Sequence, residues 1–276
     1  MRETWVKHGL LGFGVSATII FCLAPFGYMA LTSLSVRPDF LAPDTAFRMT
    51  LSHFQTVLFS KSLHFFAYLR NSLIVSGLSA VLSVAAASLA AYALSRLRIP
   101  GRGFILLFVL AISMFPQISL ISYLFKLMSA LGWINTYPAL IAPYIAWTLP
   151  LSLWVLTSYF AQLPRDLDRA GIMDGCSHWQ ILTKILFPVA APGIFSTLLL
   201  AFIFAFNEFL FALMLTTDYA ARTIPVGVAL FEGLYGQLPW GEIMAAATIT
   251  TVPVVVLTLI FQRRIIQGLT RGAVKA

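Results

Sequence analysis

Six segments of this chain are long and apolar enough to cross a lipid bilayer as helices: residues 10–32, 71–94, 104–127, 138–160, 193–216 and 243–266. A hydrocarbon layer about 30 Å thick needs roughly 20 such residues, and lipid offers no partner to an unpaired N–H or C=O, so each segment must close its own hydrogen bonds. Of the 276 residues, 59% are hydrophobic and 10% charged, against about 25% charged in a soluble chain. With a mean hydropathy of +0.89, there is too little polar surface to cover a water-soluble core, and 14% aromatic residues argue against disorder. The expected class is an all-α membrane protein with six transmembrane helices.

The net charge of +8 and pI near 9.8 do not read as a nucleic-acid footprint, because the basic residues form short clusters beside apolar runs and not one stripe. Their distribution sets an orientation. If the N-terminus is cytoplasmic, the inner segments hold Arg2 and Lys7; Arg96, Arg98 and Arg102; Arg165, Arg169 and Lys184; and Arg263, Arg264, Arg271 and Lys275, twelve of the eighteen basic residues. Both termini are therefore expected inside. Arg2 and Lys7 ahead of the first apolar run resemble a signal peptide, but that run exceeds the roughly 7–15 residues of a signal core and no clear cleavage site follows, so it reads as an uncleaved span. Two cysteines, Cys22 and Cys176, give no disulfide framework and no zinc spacing. His8, His53, His64 and His178 are dispersed in predicted terminal or loop segments, and read as solvated or interfacial.

Pro25, Pro116, Pro143, Pro150 and Pro253 interrupt predicted spans; each removes a backbone donor and tends to kink its helix. They fit packing irregularity or a bundle that rocks. The most informative segment lies between Pro164 and Pro192. Pro164 suits a first helical turn, with Asp166 and Asp168 placed favourably against its positive end. Asp174-Gly175 reads as a turn, and Ser177 with Gln180 three residues on reads as a capping box for a second helix that Pro188 should stop. A rigid helix–turn–helix corner of this kind suits the docking of a soluble partner, or serves as a simple connector.

This segment resembles the cytoplasmic signature of the inner-membrane permease subunits of bacterial ATP-binding cassette importers, in the carbohydrate branch typified by the smaller maltose permease subunit. That signature runs Glu-Ala-Ala, three residues, Gly, nine residues, Ile, one residue, Leu-Pro. Here the chain reads Arg169-Ala170-Gly171, then Gly175, then Ile185-Leu186-Phe187-Pro188, with the spacing intact and Arg169, Gly171 and Phe187 departing from the pattern. Arg169 in place of Glu removes an acidic contact that the neighbouring Asp168 could supply. Asn71-Ser72-Leu73-Ile74, Ala90 to Arg96 followed by Pro100-Gly101-Arg102, Phe206-Asn207-Glu208-Phe209, and the tail from Phe261 to Lys275 are similar to the same branch, so the resemblance runs over nearly the whole chain.

The resemblance implies one transmembrane permease domain over residues 1–276, with a core at 71–266, a coupling loop at 161–192 and a C-terminal cytoplasmic tail at 267–276. It implies a bacterial inner-membrane heterodimer with a second permease subunit, two copies of a cytoplasmic ATPase, and an extracytoplasmic solute-binding protein. Asp168, Arg169, Ala170, Gly171, Met173, Asp174, Gly175, Ile185 and Pro188 would form the coupling element seated in the ATPase. Gly272, Ala273, Val274 and Lys275 would approach the same partner. The solute would be a saccharide or a sugar-like molecule.

The chain has no phosphate-cradling loop of its own, since no lysine follows a glycine with Ser or Thr next, so ATP and Mg are expected only through the ATPase and no cofactor on this chain. Glu208 is the single acidic residue within a predicted span, about 12 Å from its outer end at 1.5 Å per residue. A charge there must face a partner or a wet cavity. Ala201, Ala205, Glu208 and Ala212 share one small-sided stripe at helical spacing. Phe206, Asn207 and Glu208 supply the aromatic, amide and carboxylate groups that sugars bind, so they either line the substrate pathway or lock two helices together. The outer segments near 33–70 and 217–242 either touch the binding protein or cap the bundle. An ion-coupled secondary transporter is the alternative function, but it would call for internal repeats and paired intramembrane charges. A membrane-embedded enzyme would need clustered His or Asp residues.

Overall fold

A chain this apolar satisfies its backbone within helices, and the computed structural model is helical throughout apart from one isolated bridge, Ser35 with Met49, among the residues it describes: 2–36, 48–231 and 238–273. The order is α1 (Arg2–Ser33), α2 (Ser52–Phe59), a 3₁₀ turn at Lys61–Leu63, α3 (Phe65–Arg96), α4 (Arg102–Ser113), α5 (Gln117–Ala130), α6 (Tyr137–Gln162), α7 (Asp166–Met173), α8 (His178–Gln180), a π-helical segment at Ile181–Leu186, α9 (Phe187–Phe206), α10 (Leu210–Leu215), α11 (Ile224–Ala229) and α12 (Trp240–Ala273).

Five runs are long and apolar enough to cross a bilayer: Leu10–Ser33, Lys61–Arg96, Tyr137–Gln162, His178–Phe206 and Trp240–Phe261. The sixth is a broken pair, α4 and α5, bent by 84°. The span expected over 104–127, with Pro116 interrupting it, is thus broken into two helices and not merely kinked. Pro116 has no N–H to continue the ladder and holds φ −61° and ψ 124°, so α4 ends at Ser113 and the chain re-enters as α5 at a new angle. Pro25, Pro143, Pro150 and Pro253 sit inside helices that continue through them.

Two further expectations change. Pro188 does not stop the helix begun at His178. The Phe187 N–H reaches back five residues to Leu182 O, and this wider π turn carries the chain past the proline into α9. The predicted span over 193–216 is also not continuous, because the helix ends at Phe206 and resumes at Leu210.

The chain divides into two compact units. The first comprises Met1–Phe66 and Gly227–Pro253. Along the apolar stretch of its Leu10–Ser33 helix no residue is buried by the described residues, as suits a surface solvated by lipid or by a partner, and only Thr32 and Ser33 at its end are buried. Beyond it, Val36 N donates to Arg48 O (3.0 Å) and Thr50 N to Leu34 O (2.7 Å). His53 links this turn to α12, with Nε2 3.0 Å from Ser35 O and Nδ1 3.1 Å from Glu242 Oε1. Gly241 makes room for that ring, since a Cβ there would lie 2.4 Å from it.

The second unit, Ala67–Val226 with Val254–Ala276, holds the larger core. α3 buries a stripe of small residues, Ser72, Ser76, Ser79, Ser83, Ala87 and Ala91, which lets helices approach closely. Ala87 and Ala91 share a core with Leu156, Phe160, Ile181, Leu186 and Ala201. Where α6 meets α9 the approach is closest: a Cβ on Gly193 would lie 2.6–2.7 Å from the Tyr159 ring. Gly193→Ala is therefore expected to lower stability by about 1–3 kcal/mol, read as a fall in thermal midpoint. Gly77→Ala, where the new methyl meets open space, should show no such fall.

At the other end of this unit, side chains close the bundle. The fully buried Asn71 donates to Tyr219 O (2.9 Å) and Arg222 O (3.0 Å) and accepts from the Tyr137 hydroxyl (2.7 Å), while Ser72 Oγ accepts from Ile224 N (2.7 Å). The Asn71-Ser72 pair thus staples the loop after α10 to the start of α3. Asn135, at φ 60°, binds the same loop through Thr217 N (3.1 Å) and Asp218 Oδ1 (2.9 Å), and its amide holds the Asp218 carboxyl below the usual carboxylate range.

Candidate functional site

Two places in the second unit combine unusual backbone with polar or exposed side chains, and both lie where the sequence singled out residues.

The first is the break after α9. Asn207 leaves the helix at φ −90° and ψ 2°, its amide donating back to Ile203 O at 2.8 Å. Glu208 is 6% exposed and turns its carboxylate onto the next helix: Oε1 accepts from Phe211 N at 2.8 Å and Oε2 from Ala212 N at 3.2 Å. Both oxygens thus cap the first free amides of α10, where a negative charge also meets the positive helix end. The buried Tyr144 hydroxyl lies beside this carboxylate. The break needs no proline, because Glu208 supplies the acceptors that a continuous helix would have supplied from its own carbonyls.

Beside this break opens a concavity of about 450 Å³ lined by Gln117, Trp147, Ile203, Phe204, Asn207, Glu208, Phe209 and Leu210, a volume within the range of small-molecule sites. Of the three residues singled out here, Asn207 is exposed into it, Glu208 borders it with its oxygens already committed, and Phe206 is buried in the core, stacked on Phe202 with centroids 5.5 Å apart. Gln117 and Trp147 were missed. Gln117 is the first residue of α5, brought to the cavity by the bend at Pro116, and Trp147 lies midway along α6; only the bend itself left a trace in the sequence.

The second place is the corner after α6. α7 is followed by Asp174 and by Gly175 at φ +76°, which a side chain would strain. Ser177 N donates to Gln180 Oε1 (2.8 Å) and Gln180 N to Ser177 Oγ (3.3 Å), the reciprocal capping box expected from the sequence. Gly171 is buried under Ile181 and Ile185, its virtual Cβ 2.8 Å from Ile185 Cδ1, so glycine there lets α7 lie tight on the π segment. Arg169 is exposed and pairs with Asp166 at 3.1 Å. Asp168 pairs with Arg96, Oδ2 to Nη1 at 3.0 Å. Ala170 and Asp174 are exposed, while Pro188 lies well inside the helical run.

At the tip Met173 is 87% exposed, flanked by the exposed Ile172 and with Trp179 also exposed. Ile172 and Trp179 were not singled out, although an apolar residue ahead of an Asp-Gly turn was visible as a cue. Of the tail residues, Gly272 and Ala273 close α12 as backbone, and Val274 and Lys275 lie outside the described residues.

Long apolar helices, two of them broken and one of those breaks opening on a cavity with a few polar groups, together with an exposed apolar corner, define a polytopic membrane transport subunit. The chain belongs to the family of binding-protein-dependent transport system inner membrane components, whose profile matches residues 79–271. It is 53% identical over 276 residues to the trehalose/maltose transport system permease protein MalG of Thermococcus litoralis, covering all of this chain and 99% of the relative. It is 39% identical over 271 residues to the trehalose transport system permease protein SugB of Mycobacterium tuberculosis, covering 95% of this chain and 97% of that one. Among solved structures, a chain of a bacterial ABC transporter involved in importing the acidic polysaccharide alginate superposes with a TM-score of 0.77 at 20% identity, over 95% of this chain and 98% of that chain. The fold is thus shared with that transporter well beyond the level of sequence.

Proposed function

We propose that this chain is a pathway-forming permease subunit of an ATP-driven importer for a small saccharide. It works with a second permease subunit, two copies of a cytoplasmic ATPase, one of them seated on the α7 corner, and an extracytoplasmic solute-binding protein. The observation that carries this reading is the corner: an apolar tip, Met173 with Ile172, held out from the protein by a left-handed glycine and a capping box, on a chain of this transport family. Such a tip is costly to leave in water and suits an apolar cleft in a soluble partner. Both termini and this corner lie on the cytoplasmic side, as the distribution of basic residues supports. ATP and Mg act through the ATPase, the inner membrane is the site of action, and the C-terminal residues Gly272 to Lys275 serve as a second contact for the same partner.

The saccharide reading rests on relatives named for trehalose and maltose, and on a cavity with one broad aromatic face, Trp147, and two amides, Gln117 and Asn207. Aromatic faces cover the apolar patches of sugars and amides meet their hydroxyls. Trp147→Ala or Asn207→Ala should raise the KM of uptake about tenfold with little change in protein level. Uptake indifferent to both would remove the cavity from the pathway.

The ion-coupled alternative needs an intramembrane carboxylate free to bind a cation or proton, and Glu208 spends both oxygens on the amides of α10. Reconstitution separates the two. Uptake into proteoliposomes should need the ATPase, ATP and the binding protein together. Uptake by this chain alone under an ion gradient would overturn the assignment.

A further inference from the structure

Arg96, Arg98, Arg102 and Arg165 converge at the ends of two spans, where α3 and α6 finish and α4 begins. They line a concavity of about 500 Å³, and Arg96, Arg102 and Arg165 also line an adjoining cleft of about 220 Å³ whose lining includes the apolar Leu94, Leu106 and Ala161. Among the residues that line the two, none is acidic. Asp168, which lines neither, forms an ion pair with Arg96, its Oδ2 3.0 Å from Nη1, but neither of its oxygens accepts a hydrogen bond. Arg96 Nη2 donates to Leu163 O at 3.0 Å.

The Arg96 side chain is 4% exposed, yet its Nε has no hydrogen-bond partner, and neither does the buried Thr157 Oγ1 in the same cleft. Two buried groups that can donate, ringed by three further guanidiniums, form an unfilled acceptor site. An unpaired buried donor is costly, and guanidinium forks match phosphate oxygens well. The cleft also opens beside exposed apolar residues on α4: Phe104, Leu107 and Phe108.

We propose that this cleft binds the phosphate of an anionic phospholipid, with an acyl chain lying along α4. The phosphodiester, with its single negative charge, lies among Arg98, Arg102 and Arg165 and offsets part of their charge, and its oxygens meet Arg96 Nε and Thr157. A basic pocket between helices at the level where lipid meets water suits that headgroup, and the apolar face of α4 suits the tail. Because Arg96 also holds Asp168 of α7, bound lipid would brace the corner from behind.

Native mass spectrometry of the full complex purified in mild detergent tests this. The wild-type protein should retain phosphatidylglycerol in preference to phosphatidylcholine. Arg102→Gln with Arg165→Gln, both at exposed positions, should cut that retention on the order of 30-fold, while Lys126→Gln leaves it unchanged. Unchanged phosphatidylglycerol retention in the double variant overturns the proposal. So does displacement of the lipid by millimolar inorganic phosphate, which would make free phosphate the ligand, and so does loss of the ATPase from the complex with lipid retention intact, which would assign the arginines to a protein interface.

Discussion

Met173→Asp should abolish ATP-driven uptake while leaving the helical bundle folded. Met173 is 87% exposed and contributes little to the packing of its own chain, so the substitution costs the isolated subunit almost nothing. In the proposed complex the same position sits in an apolar cleft, where an unpaired carboxylate must be desolvated. Interface anchors of this kind cost about 2–4 kcal/mol when lost, or roughly 30- to 1,000-fold in docking affinity. Co-purification of the ATPase and uptake should fall together, with the thermal midpoint of the subunit unchanged. Met173→Leu, which keeps the volume and the apolar surface, should restore both. Normal uptake by Met173→Asp would show that the corner is not where the driving force enters.

Glu208→Ala should be the most destabilising single change near the cavity. It strips the acceptors from Phe211 N and Ala212 N, two buried amides at the start of α10, at about 1–3 kcal/mol each. Glu208→Gln keeps one acceptor oxygen and should fall between Ala and the wild type. Because the carboxylate closes a helix and does not project freely into the cavity, protein level and uptake should decline in parallel along the series Glu, Gln, Ala. A Gln variant with normal thermal stability and lost uptake would return Glu208 to the solute pathway.

The sequence left two readings for this residue: its oxygens cap α10, while its side chain also borders the cavity, and the Gln variant tells the two apart. The spacing of Ala201, Ala205, Glu208 and Ala212 on one stripe was legible, and all four are buried. The break between Phe206 and Leu210 was not, because no glycine or proline marks it and only the polar pair Asn207-Glu208 interrupts an otherwise apolar run. The opposite occurred at Pro188, where a breaker visible in the sequence was absorbed by a π-helical turn. The pairing of Asp168 with Arg96, seventy-two positions earlier, was likewise not legible from its place in the loop.

Composition alone determined that this chain lies in a bilayer as helices, since in lipid each backbone group has to find its partner within a few residues, and that rule is local. The capping box at Ser177 and Gln180 and the left-handed Gly175 were readable for the same reason, being contacts three or four residues long. Tertiary structure decided which faces meet. A helix apolar on every side carries no pattern to say which residues turn inward, so Gly193 under the Tyr159 ring, Asn71 reaching Arg222 O, and Gln117 and Trp147 joining Asn207 around one cavity are set by packing between segments far apart in the chain.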